Sequence, residues 1–512
     1  MNAQRTHDNA GNGAGATLRL RRLGIDTYQH PVVYLRADSP VCSAEGFESQ
    51  TRLQLRLDGR QVLATLNVLH FDLIDPDEIG LSEAAWKALG GDQGQAVTVS
   101  HPPAVASFSA VRAKIYGRPL EQDDAHAIIA DVVAGRYSEV ETAALITACS
   151  GGRLDIAETS ALTRAMIDSG QRLQWQRAPV VDKHCVGGLP GNRTTLLVVP
   201  IVAACGLLIP KTSSRAITSP AGTADTMETL APVQLDVPQM RAVVEREGGC
   251  VVWGGAVALS PADDMLIRIE RPLGLDSDGM LVASVLSKKI AAGSTHVVID
   301  VPVGRTAKVR SPEAAAALEA RLHAVAAEFG LQLRVLRSDG SQPVGRGIGP
   351  ALEALDVLAV LRGAPDAPAD LRERALALAG AVLELGGRAA PGAGLALAAA
   401  TLDSGAAWTK FQAICAAQGG LREPPVAPHQ QVLAARHAGR VVAIDNRALA
   451  RVAKLAGAPK SPAAGVTFHA PLGRHVEPGQ PLLTIHAQSR GELEYALAYA
   501  RSQHDLVSLQ EQ

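Results

Sequence analysis

Two short stretches concentrate the residue types that could do chemistry. The first runs from Asp182 to Gly191 and reads DKHCVGGLPG; the second runs from Lys211 to Asp225 and reads KTSSRAITSPAGTAD. Strand-like APVVD (178–182) leads into the first, and an apolar helix follows it. A glycine-rich turn in that position lets backbone amides and the positive helix end converge on an anion, with Gly187, Gly188 and Gly191 permitting close approach. Lys183 is a suitable point charge for such an anion, while His184 on its own reads as a satisfied structural histidine. The glycine spacing fits neither GxGxxG nor a phosphate loop ending in GK[ST]. The second stretch groups Ser213, Ser214, Arg215, Ala216, Ile217, Thr218, Ser219 and Thr223 before a helix expected near Thr223, which makes a second anion-cradling loop. Taken singly, each stretch also reads as an ordinary solvated turn.

Three further groups stand out. Ser284 and Lys288 in SVLSK lie one turn apart on one helix face, so both can reach a single ligand. Lys308, with Arg193 and Arg215, could serve a second anion pocket. Asp276 sits in GLDSDG, where a turn carboxylate is the plain reading.

These residues need elements to hold them. The run LLVVPIVAACGLLIP (196–210) is apolar but falls short of the ~20 residues a membrane span requires. It holds Pro200 and Gly206 and is flanked by Arg193 and Lys211, so a buried helix is expected. The two polar loops would then lie ~20 Å apart, and the second must return along a following strand to join the first. VVID (297–300) and LQLRVLRSD (331–339) read as strands between helices at 281–291 and 313–328. Such alternation predicts an α/β sheet with its site at the carboxyl ends of the strands.

The remaining chain frames that sheet. The 512 residues exceed one core and predict a multidomain α/β protein. The expected parts are a leader (1–16), a small N-terminal β-rich domain (17–101), a helical domain (102–177) with a further helical segment near 206–240, an α/β domain with a central mixed sheet (178–421), and a C-terminal α+β domain (430–512). Helix starts are expected at Asp123, Ser138 and Asp155. The segment LSEAAWKALGGDQGQAVTVS, a helix, a turn and a strand, resembles part of a double-psi barrel. REPPVAPHQ (422–430) reads as a linker.

Net charge of −2 offers no basic field for nucleic acid, and 3% aromatic residues supply few stacking platforms. The six cysteines form no CxxC pair or metal-ligand spacing, which predicts no metal, no disulfide framework and a reducing cytoplasm. The first residues lack the apolar core of a signal peptide.

DKHxxGG, an apolar helix containing VAACG, and a Ser/Arg loop ending GTxDxxE together resemble the thymidine/pyrimidine-nucleoside phosphorylase family. The likeness continues through LSPADD (259–264), ASVLSKKIAAG (283–293), VVIDVPVG (297–304) and TLDSGAAWTKFQAICAAQGG (401–420), over roughly residues 105 to 505. Cys185, PGNRTT and SSRAITSPAGTADTME depart from the usual thymidine phosphorylase wording and, with the extra N-terminal domain, look like the archaeal AMP phosphorylase branch.

The resemblance implies phosphorolysis of an N-glycosidic bond, with inorganic phosphate as co-substrate and no other cofactor. It implies that Gly188, Ser214 to Ser219, Thr223, Ser284 and Lys308 line the site and that Asp276 donates a proton to the base. Ser284 and Lys288 would contact the base, joined by Arg268, Arg271 or neither; His184 would contact the sugar or base and take a proton-transfer role; and a homodimer or larger homo-oligomer is expected. The substrate is either a pyrimidine nucleoside such as thymidine or a nucleoside 5'-monophosphate such as AMP, the latter giving ribose 1,5-bisphosphate. A nucleotide-binding regulator without turnover, or transfer to an acceptor other than phosphate, are the other readings.

Overall fold

The computed structural model describes residues 15–216, 219–275 and 277–510. They form two compact units, one of the segment up to Ala106 with Ala134–Ser138, the other of Ser107–Val133 with the segment from Glu139 on.

Among the described residues, the first unit holds a closed barrel of six strands, β1 (Ala16–Arg22), β2 (Val32–Arg36), β3 (Arg52–Leu57), β4 (Arg60–Leu69), β5 (Glu78–Leu81) and β6 (Ala96–Ser100), in the order β1-β5-β2-β4-β3-β6. The pairs β1/β5 and β2/β4 are parallel and the others antiparallel. Alternating positions such as Leu18, Leu20, Leu53, Leu55, Val97 and Val99 point inward and build the core. Closure leaves no unpaired strand edge. Helix α1 (Pro40–Glu45) and helix α2 (Glu83–Leu89) belong to this unit, the second capped by the Ser82 hydroxyl accepting from the Ala85 amide.

The second unit begins with four helices, α3 (Phe108–Ile115), α4 (Gln122–Val133), α5 (Glu139–Cys149) and α6 (Ile156–Asp168). Asp155 and Glu158 form a reciprocal capping box at the start of α6, and Glu158 also holds the buried Lys114.

Next come five strands, β7 (Val181–Cys185), β8 (Ile209–Ser213), β9 (Gly249–Trp253), β10 (His296–Val303) and β11 (Gln332–Asp339), alternating with α7 (Thr195–Ala204), α8 (Thr223–Glu228), α9 (Val237–Glu247), α10 (Pro261–Leu273), α11 (Asp278–Ala291) and α12 (Pro312–Glu328). The pairings β11/β10, β10/β7 and β8/β9 are parallel, and a parallel bridge between Val180 and Leu208 joins β7 to β8. The spatial order is therefore β9-β8-β7-β10-β11, and the sheet is parallel among the described residues, not mixed as the sequence suggested. Right-handed crossovers through helices favour this outcome. Strand order reverses between β7 and β10; in open parallel sheets the crevice that takes a ligand lies outside the carboxyl ends of the strands at such a reversal.

The apolar run of 196–210 is not one helix. Helix α7 stops at the Cys205 cap, the chain turns at Gly206, and Ile209 starts β8. The segment expected to be helical near 206–240 thus contributes a strand to the sheet before α8 and α9. Helix α7 is buried on every side from Thr195 to Ala203, because α13 (Pro350–Leu361), α14 (Ala369–Leu385), α15 (Gly394–Asp403) and α16 (Ala406–Ala417) pack around it. No helix among the described residues is long and apolar enough to cross a membrane.

The chain ends in two small sheets built from β12 (Gly347–Ile348), β13 (His429–Ala434), β14 (Gly439–Ile444), β15 (Gly465–Phe468), β16 (His475–Val476), β17 (Pro481–Ala487) and β18 (Val507–Gln510). They share a core with α17 (Asn446–Leu455) and α18 (Arg490–Ser502). Strand β12 lies ahead of α13 yet pairs with β15, which stitches this part to the preceding one.

Candidate functional site

Strand β7 extends through Cys185, so Lys183 and His184 lie in a strand and not in the turn after it. Strand alternation sends Asp182 and His184 to one face and Lys183 and Cys185 to the other. On the second face, the Lys183 ammonium, 1% exposed, donates to Thr194 Oγ1 at 2.6 Å beside the start of α7. Burial lowers its affinity for a proton. Cys185 takes a contact from Asn192 Nδ2 at 3.4 Å, and the same amide donates to Asp300 of β10 at 3.2 Å. Burial pushes the Cys185 thiol up to about 12, so it is no nucleophile.

On the first face, Asp182 is fully buried between two ammoniums, Lys211 of β8 at 3.3 Å and Lys289 of α11 at 2.7 Å. Burial alone would raise its carboxyl; the two lysines outweigh it and hold the group below the usual range. Burial likewise lowers Lys289, against the pull of Asp182. His184 shares this setting. Burial, then Lys289, Lys211, Lys288 and Lys183, hold its imidazole well below the ordinary 6.5, so it is neutral at neutral pH.

The loop after β7 meets the loop after β10 at the strand-order reversal. Gly188 has φ +83°, and a Cβ there would lie 2.4 Å from the Lys308 amide nitrogen, so only glycine fits. Lys308 itself is exposed, with no ion pair recorded among the described residues.

Strand β8 brings the second loop back to the first, as the chain geometry required. Ser213 ends this strand, 8% exposed, its hydroxyl without a hydrogen-bond partner among the described residues. Asp225 closes the loop, its Oδ2 accepting from the Ala216 amide at 2.6 Å and the Gly222 amide at 2.9 Å. A Cβ on Gly222 would come within 2.5 Å of the Arg215 carbonyl carbon, which explains the glycine in GTAD. Ser214 is exposed, Ser219 donates to the Ala221 carbonyl at 2.8 Å, and Thr223 begins α8. Ile217, Thr218 and Asp276 lie outside the described residues.

Two arginines expected as candidates for a second anion pocket are committed elsewhere. Arg193 is buried against Glu353 of α13 and donates to Thr223 Oγ1 at 3.0 Å and the Ala221 carbonyl at 2.9 Å. Arg215 pairs with Glu228 at 2.5 Å and Asp225 at 3.2 Å and lies over the Trp253 ring. None of these three partners could be foreseen, since Glu353 is far along the chain and the carboxylates of GTADTME read as helix surface.

Helix α11 carries the remaining pair, and the expected neighbourhood holds: Lys288 Nζ donates to Ser284 Oγ at 3.0 Å. It also pairs with Asp263 of α10 at 2.5 Å, a partner sequence reasoning missed although Asp263 lies in the LSPADD segment. Arg268 Nε is buried without a hydrogen-bond partner among the described residues. The Arg271 side chain lies outside them. The arrangement sets a buried ammonium beside the start of α7, a neutral imidazole on the other face of β7, and a Ser/Lys pair on α11.

Comparison with known proteins agrees with this layout. Residues 109–170 match the helical bundle domain of a glycosyl transferase family, 177–408 its a/b domain, and 440–506 the pyrimidine nucleoside phosphorylase C-terminal domain. A protein of Polaromonas sp. named "Putative thymidine phosphorylase" is 64% identical over 96% of this chain and 97% of its own length. Proteins of the same name series from Acidovorax sp. and Legionella pneumophila are 62% and 59% identical, over 100% and 96% of this chain and 99% and 96% of their own lengths. The crystal structure of anthranilate phosphoribosyltransferase from Thermus thermophilus matches with a TM-score of 0.51 and 24% identity, covering 60% of this chain and 99% of that one, a likeness of fold.

Proposed function

The chain belongs to the thymidine/pyrimidine-nucleoside phosphorylase family, and from that premise we propose that the crevice at the strand-order reversal splits a pyrimidine nucleoside with inorganic phosphate. The observation that carries this reading is the disposition around His184. Beside it the Lys183 ammonium reaches Thr194, the Gly188 loop packs on Lys308 and Lys288 holds Ser284; in this reading the first two form the anion side and the last pair supplies donors to the base.

In this reading phosphate lies against Lys183, the Gly188 backbone and the hydroxyls of Ser213, Ser214, Thr218, Ser219 and Thr223. A phosphate oxygen forms the new bond to C1' of the sugar as the bond from C1' to the base nitrogen breaks, and that bond's electron pair leaves with the base. Positive charge on the sugar is met by the phosphate, and charge on the departing base by the Lys288 and Ser284 donors. Asp276 is assigned as the proton donor to the base. His184, held neutral, orients the sugar or phosphate by hydrogen bonding and carries no charge into the reaction. No metal or organic cofactor takes part.

The two arginines that could have bound a 5'-phosphate are neutralised by Glu353, Asp225 and Glu228. This favours an uncharged 5'-hydroxyl, hence a nucleoside. The AMP alternative keeps one support, the exposed Lys308 beside Gly188. The same proposal includes a homodimer seated on the helical part, where Tyr116 and Val140 are 87% and 79% exposed, and a reducing cytoplasm, where the six unpaired thiols would persist. The test is incubation with phosphate and a panel of thymidine, uridine, adenosine and AMP, with chromatography of the free base. Phosphate-dependent release of thymine or uracil is expected; preference for AMP would transfer the reading to nucleotides, and no release from any member would overturn it.

A further inference from the structure

Asp263 is a buried carboxylate beside the Ser284 and Lys288 pair. It lies in the first turn of α10, behind Ser260 and Pro261, with its side chain 3% exposed. Lys288, its partner on α11, is 21% exposed and therefore reaches toward solvent where Asp263 does not. The Lys288 ammonium has three N–H bonds. One goes to Asp263 Oδ2 at 2.5 Å and one to Ser284 Oγ at 3.0 Å, which leaves one direction for a ligand. Because the Ser284 oxygen accepts from Lys288, its own hydrogen is free to be donated. The third Lys288 N–H and the Ser284 O–H are then two adjacent donors on partly exposed side chains, and Ser284 Oγ keeps one lone pair.

We propose that Asp263 is a positioning residue for phosphorolysis: it anchors the Lys288 ammonium so that Lys288 and Ser284 act as a paired donor contact for the departing base. The inference rests on the nucleoside-phosphorylase reading. A donor pair headed by an ammonium suits a base that presents a carbonyl oxygen and gains negative charge as it leaves. An unanchored lysine has several rotatable bonds and a strongly hydrated head, so without Asp263 the ammonium spends most of its time in solvent. Aspartate suits the task because its short side chain on the rigid first turn of α10 leaves little freedom to the bond it accepts.

The experiment is a double-mutant cycle on the full chain with Asp263→Asn and Lys288→Met, read as kcat and KM for nucleoside and separately KM for phosphate. A hydrogen bond to a charged group is worth ~1.5 to 3 kcal/mol, which converts to a loss of roughly 10- to 150-fold in kcat/KM for nucleoside in Asp263→Asn. KM for phosphate should stay within about twofold, which also reports that the variant is folded. In the Lys288→Met background the same Asp263 change should cost little more, and Asp263→Glu should recover part of the loss. Full additivity of the two changes, or equal losses in both substrates' KM values, would overturn the inference. A wild-type enzyme that releases no base from any nucleoside would instead defeat the underlying reading.

Discussion

His184 shows how much a residue's chemistry depends on neighbours it does not touch in sequence. An isolated histidine titrates in the physiological range and invites a role as acid. Here burial and four lysines keep it neutral. The sign of the consequence follows. The folded-state value lies below the unfolded 6.5, so the unfolded chain binds the extra proton first, and stability falls as pH drops below about 6.5. Urea unfolding of wild type between about pH 8 and pH 5.5 should therefore show a decline that is shallower in His184→Gln, whatever the variant's absolute stability. Equal slopes for the two proteins would mean that the imidazole is not held neutral. The same cluster explains why Asp182 is a poor candidate for acid chemistry: its two lysine partners keep it ionised, and its task is to neutralise them.

At the scale of elements, Arg193 ties the start of α7 to the start of α8 through Thr223 and the Ala221 carbonyl, and to α13 through Glu353. Replacing it with methionine leaves Glu353, fully buried, without its cation, which costs about 3–5 kcal/mol. Burial already raises the Glu353 carboxyl above 4.5, with Arg193 opposing. Without the arginine it must rise further. A raised folded-state value means stability that is present at low pH and lost as pH climbs, so the deficit of Arg193→Met against wild type should grow from about pH 5 to pH 8. Denaturant midpoints across that range check it, and a pH-independent deficit would contradict it. This ion pair also marks the limit of what the sequence could disclose. Local signals located Thr223 as a helix start, the glycine-rich turn, and the shared face of Ser284 and Lys288, since each depends on residues within a turn or two. The carboxylate partners of Arg193 and Lys288 and the lysine partners of Asp182 lie at long separations in sequence, and only the packing of helices and strands brings them together. The same holds for the split of 196–210 into α7 and β8: a uniformly apolar run has no period that separates a buried helix from a buried strand.

At the scale of the whole chain, every residue assigned to phosphate, sugar or base lies between Asp182 and Lys308, within the second compact unit. The first unit has its own closed barrel and its own core of residues such as Leu20, Leu53, Leu55, Leu66, Ile79 and Val99, each fully buried. A closed barrel satisfies its backbone hydrogen bonds internally and does not need a neighbouring sheet to cover an edge. A fragment spanning residues 15–101 should therefore fold alone and melt in one cooperative transition. Small domains bury a modest share of their surface, so its stability should sit near the low end of the ~5 to 15 kcal/mol typical of domains. Circular dichroism against temperature is the measurement. A fragment lacking a cooperative transition would mean that the barrel depends on the segment 134–138, which groups with it and supplies the Gly135 and Arg136 carbonyls that Arg52 binds at 2.7 and 2.6 Å. Adding Arg52→Met to the full chain separates these cases. If the barrel is self-sufficient, losing the two carbonyl hydrogen bonds contributes about 1 to 3 kcal/mol to the destabilisation, a cooperative transition remains, and phosphorolysis is untouched, since no side chain of the site belongs to the barrel.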